Sequence, residues 1–153
     1  MKLAEALLLR ADLQKKLESL RERINKNTVI QEGEKPSEDP NALLEQVTAI
    51  SGQLKKLVFA INEANFTGRT SNGRTLTEAL AERDTLVLRH SIVQAAAASA
   101  AKPPERYGVK EIRWVKTVDV AGLQKAADEL AKTIRELNAE IQAANWQIVL
   151  KGM

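Results

Sequence analysis

Apolar residues recur along this chain at alternating spacings of three and four in four separate runs, and that periodicity limits the fold more than any other feature. Leu3, Ala6, Arg10, Leu13, Leu17, Leu20 and Ile24 form the first stripe. Leu43, Val47, Ile50, Leu54, Leu57, Ile61 and Ala64 form the second, and Leu76, Ala79, Arg83, Leu86, His90 and Val93 the third. The fourth is the cleanest: Leu123, Ala127, Leu130, Ile134, Leu137, Ile141, Ala144 and Ile148. At about 3.6 residues per turn, this spacing places each set on one face of a helix.

The punctuation between the stripes agrees. Residues 27–39 contain Gly33, Pro36 and four acidic side chains and read as a loop. Asp39 before Pro40 is an N-cap with proline at the first helical position. Asn72-Gly73 marks a turn, and Thr75 with Glu78 forms a capping box that opens the third helix. Pro103-Pro104 ends that helix, and Asp119 caps the fourth. Between them Ile112, Trp114 and Val118 alternate with polar residues, which predicts a short extended segment near 107–118. Gly52 inside the second helix costs about 1 kcal/mol relative to alanine, so either something packs closely there or the helix tolerates it. Helices of roughly 25 residues are rods of about 38 Å that can bury their stripes only against one another. The expected fold is therefore all-α: one domain over 1–153, an antiparallel bundle of four long helices, within one chain or completed by a second.

Composition narrows the chemistry. Hydrophobic residues make up 44% of the chain, enough for a core, but only five are aromatic (Phe59, Phe66, Tyr107, Trp114 and Trp146). The core must rest on Leu, Ile, Val and Ala. The chain has no cysteine, which excludes disulfides, thiolate metal sites and a cysteine nucleophile, and its single histidine, His90, excludes histidine-rich metal sites. Net charge is +3, too balanced to announce a nucleic-acid partner. No apolar run approaches the length of a membrane span, and the N-terminus, with Glu5 and Arg10 around three leucines, does not read as a signal peptide. A cytoplasmic location is expected, with no cofactor.

The two halves repeat each other. Leu3, Glu5, Ala6, Leu7, Arg10 and Leu13 recur as Leu76, Glu78, Ala79, Leu80, Arg83 and Leu86, and Asp39, Leu43, Leu57, Ile61, Ala64 and Asn65 recur as Asp119, Leu123, Leu137, Ile141, Ala144 and Asn145. Phe66 and Trp146 follow the two asparagines. Shared leucines are expected of any two such helices; the shared Glu, Arg, Asp and Asn are not demanded by the helix period. The repeat predicts two helical hairpins, about 1–66 and 75–148, related by a pseudo-two-fold axis. In antiparallel hairpins Glu5, Arg10 and Asn65 fall at one end of the first, and Glu78, Arg83 and Asn145 at one end of the second. Arg10 and Arg83 occupy stripe positions where leucine is expected, and a buried guanidinium needs carboxylate or amide partners. Two readings follow. These six residues form a structural polar layer that fixes register, or they form a two-fold ligand site for a small anion or a metal.

Other motifs carry less. Gly68 to Thr75 nearly spells a phosphate-binding P-loop, with arginine where lysine should be, but a helix rather than a strand precedes it. It reads as a turn, with a weak anion site at Arg69 and Arg74 ahead of the third helix. His90 lies on a stripe, as a partly buried core residue. Residues 106–116 combine basic side chains with Tyr107 and Trp114, a pairing that can grip a single strand; Trp114 is otherwise a plug over one end of the bundle.

The opening Met1-Lys2-Leu3-Ala4-Glu5-Ala6-Leu7, the segment Asn72-Gly73-Arg74-Thr75-Leu76-Thr77, the stretch from Glu111 to Val120 and Asn145-Trp146 resemble the septicolysin-annotated family of small, mostly uncharacterised bacterial helical proteins. The resemblance covers nearly the whole chain and is most specific over 111–120. It implies a helical fold and brings no established catalytic residues. The family name suggests a lysin, yet this chain has no cysteine and lacks the tryptophan-rich membrane-binding segment of thiol-activated cytolysins.

Together these features predict a non-enzymatic helical protein that self-associates, at least as a dimer, as an assembly or interaction module. Leu8, Leu9, Val58 and Leu88 lie off the main stripes and would be buried in the oligomer. Neither nucleic acid nor membrane is expected as a partner. The alternatives are small-anion or metal binding at the Glu/Arg/Asn layer, and a membrane-active lysin.

Overall fold

The computed structural model describes residues 1–102 and 114–152. Four helices hold most of them: α1 (Leu3–Asn27), α2 (Pro40–Thr67), α3 (Leu76–Ala101) and α4 (Val120–Gln147). Among the described residues there is no strand; an isolated antiparallel bridge joins Lys2 and Val149. The all-helical architecture is the one the periodicity predicts, and α4 runs unbroken through Leu137. Part of the extended segment expected near 107–118 lies outside the described residues; Trp114 to Thr117 are non-helical.

The chain divides into two compact units. The first holds residues 1–69 and the described residues from Gln142 onward. Here α1 packs against α2. Leu3, Ala6, Leu13 and Leu20 on α1 and Leu43, Leu57, Ala60, Ile61 and Ala64 on α2 are buried, as the stripes require. The loop that turns the chain between them is pinned from inside. Asn27 is buried and donates through Nδ2 to the Arg23 carbonyl (2.9 Å), while its Oδ1 accepts from Ser37 Oγ (3.2 Å) and the Glu38 amide (3.1 Å). The Arg23 guanidinium closes on the Glu38 carboxylate through two nitrogens. That pairing holds the Glu38 carboxyl below its ordinary range and raises Arg23, against the smaller effect of desolvation. Asp39 accepts from the Asn41 amide (2.9 Å) ahead of Pro40 and starts α2.

The same unit joins the first residues to the last. The Leu3 amide donates to the Ile148 carbonyl and the Leu150 amide to the Met1 carbonyl, both at 2.9 Å, and Leu150 is buried. Gly68, just past α2, meets Ile148, just past α4: a Cβ on Gly68 would lie 2.5 Å from both Ile148 Cδ1 and the Ala64 carbonyl oxygen. Only glycine permits that approach.

The second unit spans 70–141, within which α3 packs against α4. Leu76, Ala79 and Ala97 on α3 and Ala127, Leu137 and Ile141 on α4 are buried. The turn before α3 closes through Gly73 N–H to the Thr70 carbonyl and Thr70 N–H to the Arg74 carbonyl, both 2.9 Å, with Gly73 at φ +82°. A turn there is what Asn72-Gly73 predicts. Glu78 then accepts from the Thr75 amide (2.7 Å) and hydroxyl (2.8 Å), and the Thr75 hydroxyl accepts from the Glu78 amide. The predicted capping box is in place.

The helix ends share local hydrogen bonds. The Lys2 amide donates to Glu5 at 2.7 Å, as Thr75 does to Glu78. Leu43 N–H reaches the Asp39 carbonyl and Leu123 N–H the Asp119 carbonyl. Gly68 N–H reaches Ala64 and Ile148 N–H reaches Ala144.

One expectation is corrected. Trp114 is 73% exposed, so it does not plug an end of the bundle. Val120, where α4 begins, is itself half-buried, and the preceding residues from Trp114 to Asp119 all face solvent. Of the other members of the basic and aromatic segment, Arg106, Tyr107, Lys110 and Arg113 lie outside the described residues and Lys116 is exposed.

Candidate functional site

Four of the six polar-layer residues fall in the first unit: Glu5 and Arg10 on α1, Asn65 near the end of α2 and Asn145 near the end of α4. Asn145 is buried; Asn65 and Arg10 are half-buried. Glu5 accepts from the Lys2 amide, which uses it as part of the α1 start. Arg10 has a buried Nε–H that finds no hydrogen-bond acceptor among the described residues. Such a donor is costly to bury without an acceptor. Glu78 and Arg83 belong to the second unit. Glu78 caps α3, and Arg83 donates through Nε (3.0 Å) and Nη2 (2.7 Å) to Asp84 beside it on the same helix. Each of these charges thus has a local partner that the repeat does not name.

The densest polar constellation lies elsewhere, in the second unit. It surrounds Arg74, one of the two arginines expected to offer a weak anion site. The Arg74 guanidinium pairs with Glu82 on α3 and sits with Nε 3.7 Å from Glu140 on α4. Asn72 donates to the other Glu140 oxygen at 2.9 Å. With Ser71, Thr133, Glu136 and Leu137 these residues line an open hollow of about 300 Å³. The Glu140 side chain is only 11% exposed, and its Oε1 and the buried Thr70 hydroxyl both lack a hydrogen bond within normal distance. Even so the Thr70 hydroxyl is the largest influence holding the Glu140 carboxyl below its ordinary range; Arg74 and Asn72 add to it and desolvation opposes it. The carboxylate stays charged because donors on the turn replace the water it has lost. With one guanidinium against Glu82, Glu136 and Glu140, the hollow is net acidic, so its chemistry favours cations over anions. Arg69, the other arginine, is exposed on the chain just ahead of this turn.

Among the described residues no group of three or more His, Cys, Asp or Glu side chains converges to hold a metal ion, and no helix is long and apolar enough to cross a membrane. His90 is half-buried on α3.

The aromatic residues supply the remaining feature. Phe59 and Phe66 on α2 are 72% and 74% exposed, and Trp146 on α4 is half exposed. With Trp114, all four aromatic residues that the structure describes face solvent. Leu8 and Leu88 are also largely exposed and Leu9 less so, whereas Val58 is half-buried. Monomeric proteins rarely leave their aromatics outside the core.

The profile of a family of unknown function, DUF6847, matches residues 10–150. The chain belongs to that family. It is also similar to a functionally unknown conserved protein from Corynebacterium diphtheriae known from a crystal structure, with 34% identity over 99% of each chain and a TM-score of 0.90. No curated protein matches it. Neither description carries the septicolysin label, so what stands is membership of a family of unknown function and a fold shared with one solved structure.

Sequence reasoning missed Thr70, Asn72, Glu82 and Glu140. On α4, Glu140 is one of several glutamates between stripe positions, and nothing in its spacing distinguishes it from Glu129 or Glu136. The exposed faces were partly legible: of the off-stripe Leu8, Leu9, Val58 and Leu88, all but Val58 are exposed, while exposed Phe59 and Phe66 were not singled out.

Proposed function

We propose that this member of the DUF6847 family is a non-enzymatic, cytoplasmic helical module that works by self-association, at least as a dimer. The observation that carries the reading is the placement of its large apolar side chains. Phe59, Phe66, Leu8, Leu88 and Ile92 lie on helix surfaces turned away from the buried stripes. Exposed aromatics of this kind are the anchors of protein–protein contacts. In the acidic hollow the Glu82 and Glu140 carboxylates are already engaged by Arg74 and Asn72. Light scattering over a concentration series tests the proposal: a dimer or larger species in the micromolar range supports it, and a monomer throughout refutes it.

A second reading is favoured by Arg10. Its unaccepted Nε–H, in the N-terminal half of α1, suits a small anion bound in the first unit. Calorimetric titration of the protein with inorganic phosphate, with Arg10→Met as control, tests it: heat lost in the variant supports the site, and no heat with either chain removes it.

A further inference from the structure

Within the protomer Gly52 has no reason to be glycine. It sits in the interior of α2 with an ordinary backbone, and a Cβ there would meet nothing within 4 Å. Alanine would stabilise the helix. Phe59 and Phe66 follow it at successive spacings of seven, and both are largely exposed. At about 100° per residue the three positions form one line along α2, opposite the buried Leu57, Ile61 and Ala64. The line drifts by about 20° per heptad, which a left-handed supercoil takes up.

Resting on the self-association reading, we propose that two copies of this chain pair antiparallel through this line of α2, about a two-fold axis at Phe59. Phe59 of one copy then meets Phe59 of the other. Phe66 of each copy, about 10.5 Å along the helix, meets Gly52 of the other, where the missing side chain leaves room for the ring. A parallel pairing in register would set Phe66 on Phe66 and glycine on glycine, leaving a void at one level and a clash at the other. Charges agree with the antiparallel choice. Lys56 and Glu63 lie on the same flank of the line, and the two-fold sets Lys56 of each copy beside Glu63 of the other. Both are exposed and free to reach across. The two α2 helices overlap over residues 51–67 in such a pair and bury on the order of 1,000 Å² in total, at the lower edge for a specific interface, so the dimer dissociates in the micromolar range.

The test is sedimentation equilibrium on the whole chain up to about 100 μM, with four variants. Gly52→Gln keeps a good helix former but fills the socket; it raises the dimer dissociation constant more than tenfold while the melting temperature at low concentration holds or rises. Lys56→Glu and Glu63→Lys each weaken the dimer, and combining them in one chain restores it. The chain has no cysteine, so Phe59→Cys gives a clean reporter that forms an intermolecular disulfide under mild oxidation. A dimer whose affinity is unmoved by Gly52→Gln and by both charge changes overturns this pairing and leaves self-association standing on another face, such as that of Leu8 or Leu88. A wild-type chain that is monomeric throughout overturns both.

Discussion

Glu140 shows how a single side chain reports its surroundings. Its carboxyl is lowered by the Thr70 hydroxyl first, then by Arg74 and Asn72, against desolvation. A carboxylate lowered in the folded state contributes stability that is present above its unfolded value of about 4.3 and is lost as pH falls through the folded value. Thr70→Val removes the hydroxyl with the largest lowering influence, so the Glu140 carboxyl titrates at higher pH and that acid-side loss shrinks. Carbon NMR of the side-chain carboxyls checks this; an unmoved Glu140 titration shows that Thr70 is not its donor. Arg10 makes the opposite case, a donor with no acceptor. Arg10→Met keeps the packing and deletes the buried N–H, so stability holds within about 1 kcal/mol or rises. A loss above about 2 kcal/mol in urea denaturation means that the guanidinium has a partner and the residue belongs to a polar layer.

At the scale of the element, two glycines in and just beyond α2 answer differently to the same change. Gly68→Ala drives a methyl into the Ala64 carbonyl and the Ile148 side chain, and destabilises by about 1–3 kcal/mol. Gly52→Ala meets open space and stabilises the isolated protomer by about 1 kcal/mol. Thermal melts at low concentration measure both, and equal signs would contradict the packing described. The start of α3 depends on its cap: Thr75→Ala deletes the hydroxyl that accepts from the Glu78 amide and lowers stability by about 1 kcal/mol.

Across the whole molecule, the unit that holds α1 and α2 is completed by residues from the far end of the chain. Leu150 is buried, and its amide reaches back to Met1. Leu150→Ala therefore costs about 2–5 kcal/mol and speeds hydrogen exchange at Leu3 and Leu150, although these residues lie at opposite ends of the sequence. Exchange unchanged at Leu3 would show that the closure does not support α1. The same view explains the aromatics. Leu, Ile and Ala fill the buried stripes without them, which leaves Phe59, Phe66 and Trp146 available at the surface.

Much of this architecture was legible in the residues. Helix boundaries came from Asp39-Pro40, Thr75 with Glu78, and the punctuation by Gly and Pro, because caps and breakers act through hydrogen bonds only a few residues long. The buried Leu57, Ile61, Leu137 and Ile141 came from helical period alone, since a long amphipathic helix has one apolar face to hide. The hollow around Glu140 was not legible, because it brings together Asn72, Glu82 and Glu140, separated by up to 68 residues, and local spacing says nothing about such meetings. Nor could the sequence say whether Gly52 and Gly68 were glycine for the same reason. A missing side chain is uniform in sequence and acquires meaning from what stands beside it: a carbonyl and an isoleucine at Gly68, and open space at Gly52. Local hydrogen bonding and the helix period fixed where the helices begin, end and face; which side chains meet, and which faces stay bare, was decided by packing between residues far apart in the chain.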